Sequence, residues 1–460
     1  MRIVVEKFGG SILQYSEDYR RVAKVISETL SEGYSVVAVV SAMKGVTDSL
    51  IRMSRVENGF EEELKSLAEK HRSVLAGVAK SPYFERAYIE ISRLLDKLSK
   101  TLWAIRVIGE VTPRVRDYIL SFGEQFSAII LWATLLSEGI SAEWFTGGKA
   151  GIVTDNSFGE AHPIYDESRK RVRNVIPKTL SEGKVAIVTG FIAESIEGHV
   201  TTLGRGGSDY SATLLASFLD AEEVRFYTDV EGILTANPKI IPEAKTIEKL
   251  SFEEIIELSY IGAKKFHPRT FEPLKGRSIP AKILSIYSPH GKCTVVHGKC
   301  GSGEREVKAV MTINGLALVN VKGTTMVGRI GTAAEVMHVA KEASVNISAI
   351  SQPVSETVIS VIVKASDADV FSKRLIEKLK HKKIIEDVEV IKPLTAVVTV
   401  GCGLREPEVS EKILKIASKY PLYMVSKGLD SVSITFLTNP DSAYSLAREV
   451  HDKVILHGQG

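Results

Sequence analysis

The residues with the clearest chemical content form the run Thr201-Thr-Leu-Gly-Arg-Gly-Gly-Ser-Asp-Tyr210, followed by an apolar stretch, Ser211–Leu219, that reads as a helix. A glycine-rich turn that opens a helix presents backbone N–H groups to an anion, and Arg205 adds a guanidinium fork for a carboxylate or phosphate. Asp209 falls in the first turn of that helix, where its spacing suits an ordinary cap as well as a working carboxylate. A second glycine loop, Lys7-Phe-Gly-Gly-Ser11, closes the first strand. It is not a Walker A loop, because its lysine precedes the glycines, and it lacks G-x-G-x-x-G. Lys7 at the carboxyl end of a strand points a cation either at an occupant of that sheet edge or into solvent. A third cluster, His290-Gly-Lys-Cys293 and His297-Gly-Lys-Cys300, sets four competent metal ligands close together. Structural zinc sites usually separate their ligand pairs by many more residues, so a metal site, a Cys293–Cys300 disulfide and an inert joining segment all stay open.

The elements that must position these groups are legible from local pattern. Arg2–Phe8 is a short β-branched run, Ser16–Ser31 has helical periodicity ended by Gly33, and Ser35–Val40 is a buried-strand run. That strand–helix–strand order predicts a parallel sheet covered by helices. Glu61–Ile108 reads as one long helical stretch, and Val185–Thr189 and Glu223–Tyr227 as further strands. Around Pro289–Glu306 the chain turns small, polar and glycine-rich, with one short strand at Thr294–His297. Beyond it, strands at Leu316–Val321, Asn346–Ser351, Val358–Val363 and Val388–Ile391 alternate with helices at Thr332–Ala343 and Ala368–His381. A similar order follows: strand Ala396–Val400, helix Glu408–Lys419, strands Leu422–Ser426 and Ser431–Phe436, helix Pro440–Lys453. Two tandem βαββαβ units of ferredoxin-like topology are expected.

Composition bounds the function class. The 460 residues suffice for about three domains at ~150 residues each. Lys and Arg number 59 against 56 Asp and Glu, a net charge of +3 too small for a nucleic-acid or membrane footprint. Three cysteines make no disulfide framework, so a reducing cytoplasm is expected. The opening Met-Arg-Ile-Val-Val-Glu-Lys-Phe does not read as a signal peptide, and the apolar run Ala128–Leu136 is too short to span a bilayer.

Seven phrases share the order and spacing of aspartate kinases: Lys7–Ser11, Val39–Asp48, Asp117–Glu124, Thr201–Tyr210, Tyr227–Gly232, Gly262–Pro268 and Ser351–Glu356. The sequence resembles that family over essentially its whole length, in the monofunctional form without a homoserine dehydrogenase module. The resemblance implies an α/β class, an amino acid kinase α/β/α sandwich at 1–290, a linker at 291–310 and two ferredoxin-like ACT domains, 311–392 and 393–452. A C-terminal strand near 453–457 is a candidate to complete the first ACT domain. The implied reaction moves the γ-phosphoryl of MgATP to the β-carboxylate of L-aspartate, giving 4-phospho-L-aspartate, the first step toward lysine, threonine and methionine. A carboxylate nucleophile is already ionised at pH 7 and needs no general base, so the site must supply cations and N–H donors. By resemblance Lys7 and Lys264 contact phosphates and Asp209 holds those cations in place. Arg205 takes the α-carboxylate and Glu124 the α-amino group, with Ser41 and Thr47 completing the pocket. Gly9, Gly10, Thr228, Asp229 and Lys239 line the nucleotide site. Magnesium arrives with ATP, and no protein side chain is assigned to it.

Two departures stand out. Asn237-Pro238 replaces the family's common Asp-Pro, so Asn237 receives no catalytic role. Lys264-Lys265 leaves open which lysine faces ATP. An end-product amino acid, threonine or lysine, is expected at Met326, Asn346, Ile347, Gln352, Ser355 and Glu356, and Ser348, where some lysine-inhibited relatives carry aspartate, favours threonine. A cytoplasmic homodimer or dimer of dimers, paired through the ACT domains, completes the expectation. The alternatives are another amino acid kinase, such as acetylglutamate or glutamate 5-kinase, and a non-catalytic ACT-based amino-acid sensor.

Overall fold

The computed structural model describes residues 1–56, 59–261, 266–301 and 303–456. The chain forms two compact units. Met1–Ile233, Thr246–Ile256 and Lys264–Lys299 make the first; Leu234–Lys245, Glu257–Ala263 and Cys300–Gly460 make the second.

In the first unit β1 (Ile3–Phe8) leads through α1 (Ser16–Ser31) to β2 (Ser35–Val40). Helix α1 forms because Tyr19, Val22, Ala23, Ile26 and Thr29 recur at helical spacing and bury one stripe. It stops where Gly33 takes φ +83°. Next come α2 (Val46–Met53), α3 (Glu61–Val78), α4 (Tyr83–Ile108), α5 (Pro113–Leu120) and α6 (Phe122–Ser137). The stretch expected to be helical over Glu61–Ile108 is so, as two helices divided at Pro82, which caps α4. The span Pro113–Ser137 is the one candidate among the described residues long and apolar enough to cross a membrane, but 89% of its apolar window is buried in the protein. The unit continues through β3 (Ala142–Phe145), α7 (Gly147–Ala150), β4 (Val153–Thr154), α8 (Tyr165–Ser181), β5 (Val185–Thr189), β6 (Ile192–Ser195) and β7 (Val200–Thr202). It closes with α9 (Gly207–Leu219), β8 (Glu223–Thr228), β9 (Lys249–Leu250), the start of α10 (Phe252–Ile261), α11 (Glu272–Lys275), β10 (Ala281–Ser285) and β11 (Thr294–Val296).

The main sheet runs β3-β5-β2-β1-β8-β10-β11-β9. It is parallel from β3 to β10, as strands joined through helices must be, and β11 returns antiparallel to β10. Strand alternation sorts its faces: Val4 and Phe8 join the core formed with α1, α3, α4 and α6, while Lys7 points the other way, toward α9. Strands β4, β6 and β7 form a separate small sheet.

The second unit is built on β12 (Ala309–Lys322), α12 (Thr332–Glu342), β13 (Ala349–Ser351), β14 (Val358–Lys364), α13 (Ala368–Leu375) and β15 (Asp387–Val400). α14 (Pro407–Ala417), β16 (Met424–Ser426), β17 (Ser433–Thr438) and α15 (Pro440–Val450) follow. The two ferredoxin-like halves share one six-stranded sheet, β13-β14-β12-β15-β17-β16. Strands β12 and β15 each run through both halves. Leu316–Lys322 and Asp387–Leu394 serve the first, while Ala309–Ile313 and Ala396–Val400 serve the second, with a register break between Ile313 and Leu316. The strand that completes the second half is therefore Ala309–Ile313, which precedes the first half. The C-terminal strand expected at 453–457 is absent among the described residues: His451–Leu456 continues helically from α15 and buries Val454 and Ile455 in the second half's core.

Cys300 is bonded to Cys402, with their Cα atoms 5.5 Å apart, and Cys293 is free. This excludes a Cys293–Cys300 disulfide, and His290 instead lies 3.5 Å from the Glu28 carboxylate. Two of the three cysteines being paired, cysteine usage does not argue for a reducing compartment.

Glu6, on the α1-facing side of β1, is fully buried. Its Oε1 accepts from Thr29 at 2.7 Å and Tyr227 at 3.3 Å, and Oε2 has no partner. Burial pushes its carboxyl up to about 7 against those hydrogen bonds and the nearby Arg225. Between the ordinary carboxylate range and pH 7 the native protein holds a proton that the unfolded chain has released, so stability falls as pH rises, by at most about 1.4 kcal/mol per pH unit. Thermal melts of Glu6→Gln should fall less steeply than wild type between pH 5 and 7; parallel curves would contradict this assignment.

Candidate active site

Two loops at the carboxyl edge of the main sheet begin the site. The loop after β1 and the loop after β2 are laced together: Ser41 N–H donates to the Phe8 carbonyl at 3.1 Å and Lys44 N–H to the Leu13 carbonyl at 3.0 Å. Gly10 permits this approach, since a Cβ there would lie 2.7 Å from the Ala42 carbonyl oxygen. Helix α6 meets the second loop at its first turn, where Ala42 N–H donates to Glu124 Oε1 at 3.1 Å. From the opposite face comes the turn between β7 and α9. Gly206 caps α9 at φ +69°, with His267 so close that a Cβ would sit 2.5 Å from its own Cβ.

These segments enclose a cleft of about 900 Å³. Lys7, Gly10, Ser41, Thr47, Glu124, Arg205 and Asp209, all expected from sequence, line it together. Lys7 Nζ lies 2.6 Å from Asp209 Oδ1, both side chains about nine-tenths buried. The cap reading of Asp209 is thereby excluded: Gly206 occupies the cap position, without a side-chain bond, and the Asp209 carboxylate pairs with Lys7. Glu124 is 3% exposed, and its Oε2 is buried without a partner. Burial pushes its carboxyl up to about 8, opposed by the Ala42 N–H and the charge on Lys7. Arg205 is exposed to the cleft and makes no hydrogen bond or ion pair to another described residue. The cleft thus offers one satisfied cation–carboxylate pair, exposed cations that include the Arg205 guanidinium, and one buried carboxyl oxygen without a partner.

The other expected positions fall elsewhere. Gly9, Thr228 and Asp229 lie at the carboxyl ends of β1 and β8, which pair at Phe8 and Tyr227. Lys239 belongs to the second unit, where its N–H donates to Asn237 Oδ1 at 3.1 Å. Asn237 is therefore a turn-former. Lys264 and Lys265 lie outside the described residues. Among the described residues no set of three His, Cys, Asp or Glu side chains converges in the cleft. In the second unit the Met326 side chain is packed in the first half's core, leaving only its main chain for a ligand. Asn346, Gln352 and Ser355 are exposed, Ile347 is half-buried, and Glu356 accepts from Gly328 N–H at 2.7 Å.

Sequence reasoning gave no role to Arg116, Lys44 or Asp117, which also line the cleft. Asp117 opens the phrase Asp117–Glu124, but spacing gives no sign of its partners, because its hydrogen-bond donors stand 42 and 85 positions away.

Residues 2–285 match the amino acid kinase family. The chain belongs to the amino acid kinase family. Residues 319–378 of this amino acid kinase match an ACT domain. It is 31% identical to bifunctional aspartokinase/homoserine dehydrogenase 2 of Arabidopsis thaliana, over 98% of this chain and 50% of that one. It therefore spans about half the length of such bifunctional relatives. To aspartokinase 1 of the same plant it is 28% identical, over 97% of this chain and 79% of that one. Among solved structures, E. coli aspartokinase III in complex with lysine and aspartate superposes with a TM-score of 0.82 at 26% identity, over 98% of this chain and 99% of that one.

Breaking a buried ion pair by removing one partner leaves the other charge uncompensated. Lys7→Met is expected to lower the stability of the first unit by about 3 kcal/mol in urea unfolding, and Lys7→Met/Asp209→Asn to recover part of it. An unchanged midpoint in the single variant would contradict the pairing.

Proposed function

We propose that this amino acid kinase transfers the γ-phosphoryl group of MgATP to the β-carboxylate of L-aspartate. The observation that carries the proposal is the coexistence, in one cleft, of an unpaired Arg205 guanidinium and a buried, unpartnered Glu124 oxygen. A free dicarboxylic amino acid supplies what each lacks: an α-carboxylate for Arg205 and an ammonium for Glu124. Its second carboxylate is then the nucleophile, ionised at neutral pH, and no base is required. Lys7, held by Asp209, stands where charge on the incoming phosphates needs a cation. Gly9, Gly10, Thr228 and Asp229 receive the nucleotide along the edge of β1 and β8. Magnesium travels with the phosphates and neutralises their charge. The E. coli relative solved with aspartate and ADP supports this substrate pair.

Acetylglutamate is the weaker substrate on the same grounds. Its amide nitrogen carries no positive charge, and Glu124 would stay buried without an ionic partner.

The proposal assigns catalysis to the first unit, so the expected 1–290 part gives up Leu234–Lys245 and Glu257–Ala263 to the second, and regulation to a pair of ACT domains, 311–392 and 393–452, the latter borrowing Ala309–Ile313 as a strand. The segments around Met326, Asn346–Ile347 and Gln352–Glu356 take an end-product amino acid, threonine in preference to lysine because Ser348 adds no negative charge. The short edge strand β13 suits pairing with a second copy.

One assay tests these readings. Purified protein with MgATP is offered aspartate, glutamate and N-acetylglutamate, with and without threonine or lysine. Aspartate should exceed N-acetylglutamate by at least about a hundredfold in kcat/KM, because the acetylated nitrogen brings no charge to the buried Glu124 and a bulkier group to its pocket. Inhibition by threonine is expected. Preference for N-acetylglutamate would overturn the substrate, and inhibition by lysine alone would overturn the effector.

A further inference from the structure

Asp117 stands inside α5 and is 1% exposed, yet its carboxylate does nothing for its own helix. Oδ2 accepts from the N–H of Gly159 and the N–H of Thr202, both at 2.9 Å, and Oδ1 accepts from the Thr202 hydroxyl at 2.9 Å. Three chain segments thus meet on one side chain: α5, the loop at 155–161 and the end of β7. The loop and β7 are also tied directly, Ala161 N–H donating to the Thr202 carbonyl at 2.9 Å. Gly204, at φ +72°, lies so close to this loop that a Cβ would meet Glu160 Cγ at 3.1 Å.

The positions of these bonds along the chain give them a consequence. Thr202 is three residues before Arg205 and seven before Asp209, so fixing Thr202 fixes where the turn enters the cleft. Asp117 is seven residues before Glu124, and α5 passes into α6 through Ser121, whose N–H donates to the Asp117 carbonyl at 3.0 Å. We infer that Asp117 is a positioning residue that holds the Arg205 clamp and the Glu124 clamp at the separation a free dicarboxylic amino acid requires. An amide at 117 must turn its oxygen to the Gly159 and Thr202 N–H groups and its NH2 to the Thr202 hydroxyl, so two charge-assisted bonds become neutral ones and the hydroxyl must reverse from donor to acceptor. The inference rests on the aspartate kinase reading for its kinetic part and on the hydrogen bonds alone for its structural part.

The experiment therefore has two readouts on Asp117→Asn, Thr202→Val and Thr202→Ser. Steady-state kinetics should show the aspartate KM of Asp117→Asn rising about tenfold, while the ATP KM stays within about twofold. Thr202→Val, which removes only the hydroxyl bond, should raise the aspartate KM about threefold, and Thr202→Ser should restore it. Equal rises in both KM values, or a lowered melting temperature with both KM values unchanged, would overturn the positioning role. Amide hydrogen exchange is the second readout. In Asp117→Asn, faster exchange over 202–208 with wild-type exchange in α1 and β2 supports the role, and unchanged exchange over 202–208 overturns it. Should wild-type protein fail to phosphorylate aspartate, the proposed function fails, and the exchange data still decide the inference.

Discussion

The first unit is organised around the pairing of one strand-end lysine with one carboxylate from the opposite side of its cleft. Lys7 leaves the last turn of β1 on the face away from α1, and Asp209 comes from the first turn of α9 to meet it at 2.6 Å. A buried charge is tolerated only when it is partnered, so this pair dictates where α9 starts relative to β1. It also dictates which residues must be glycine. Gly206 at α9's cap admits His267, and Gly10 admits the Ala42 carbonyl, so that both loops close on the pair without a Cβ between them.

Much of this was legible in the sequence, and the reasons differ by element. Helix α1 and strands β1, β2 and β5 stand almost where local periodicity put them, because their buried residues repeat at the spacing of one element. The cleft residues were legible through the resemblance, and the geometry brings seven of them together. What sequence could not show is long-range by nature. Strand β12 reads locally as Leu316–Val321, but its first part, Ala309–Ile313, is held by pairing with Ala396–Val400 and so completes the other half of the sheet. Cys300 finds Cys402 at a separation of 102 residues, where no spacing rule reaches. Asp117 is the same case inside the site: the phrase Asp117–Glu124 marks it, but its role lies in donors contributed by distant segments.

The cleft also places its charges asymmetrically. Lys7 and Asp209 satisfy each other, while Arg205 and Glu124 keep capacity to spare. Glu124 is the costlier of these, because its burial favours the neutral form and its free oxygen lies where water is scarce. A bound ammonium ion would return it to the charged form, so binding of the proposed substrate is coupled to loss of a proton.

That coupling can be measured directly. Isothermal titration of the protein with aspartate at pH 7, in two buffers of different ionisation enthalpy, reads the number of protons exchanged. With the Glu124 carboxyl near 8 in the empty cleft and ionised when occupied, wild type should release about one proton per aspartate bound, and Glu124→Gln should release none. A binding heat in wild type that does not depend on the buffer would contradict the coupling of substrate binding to ionisation of Glu124.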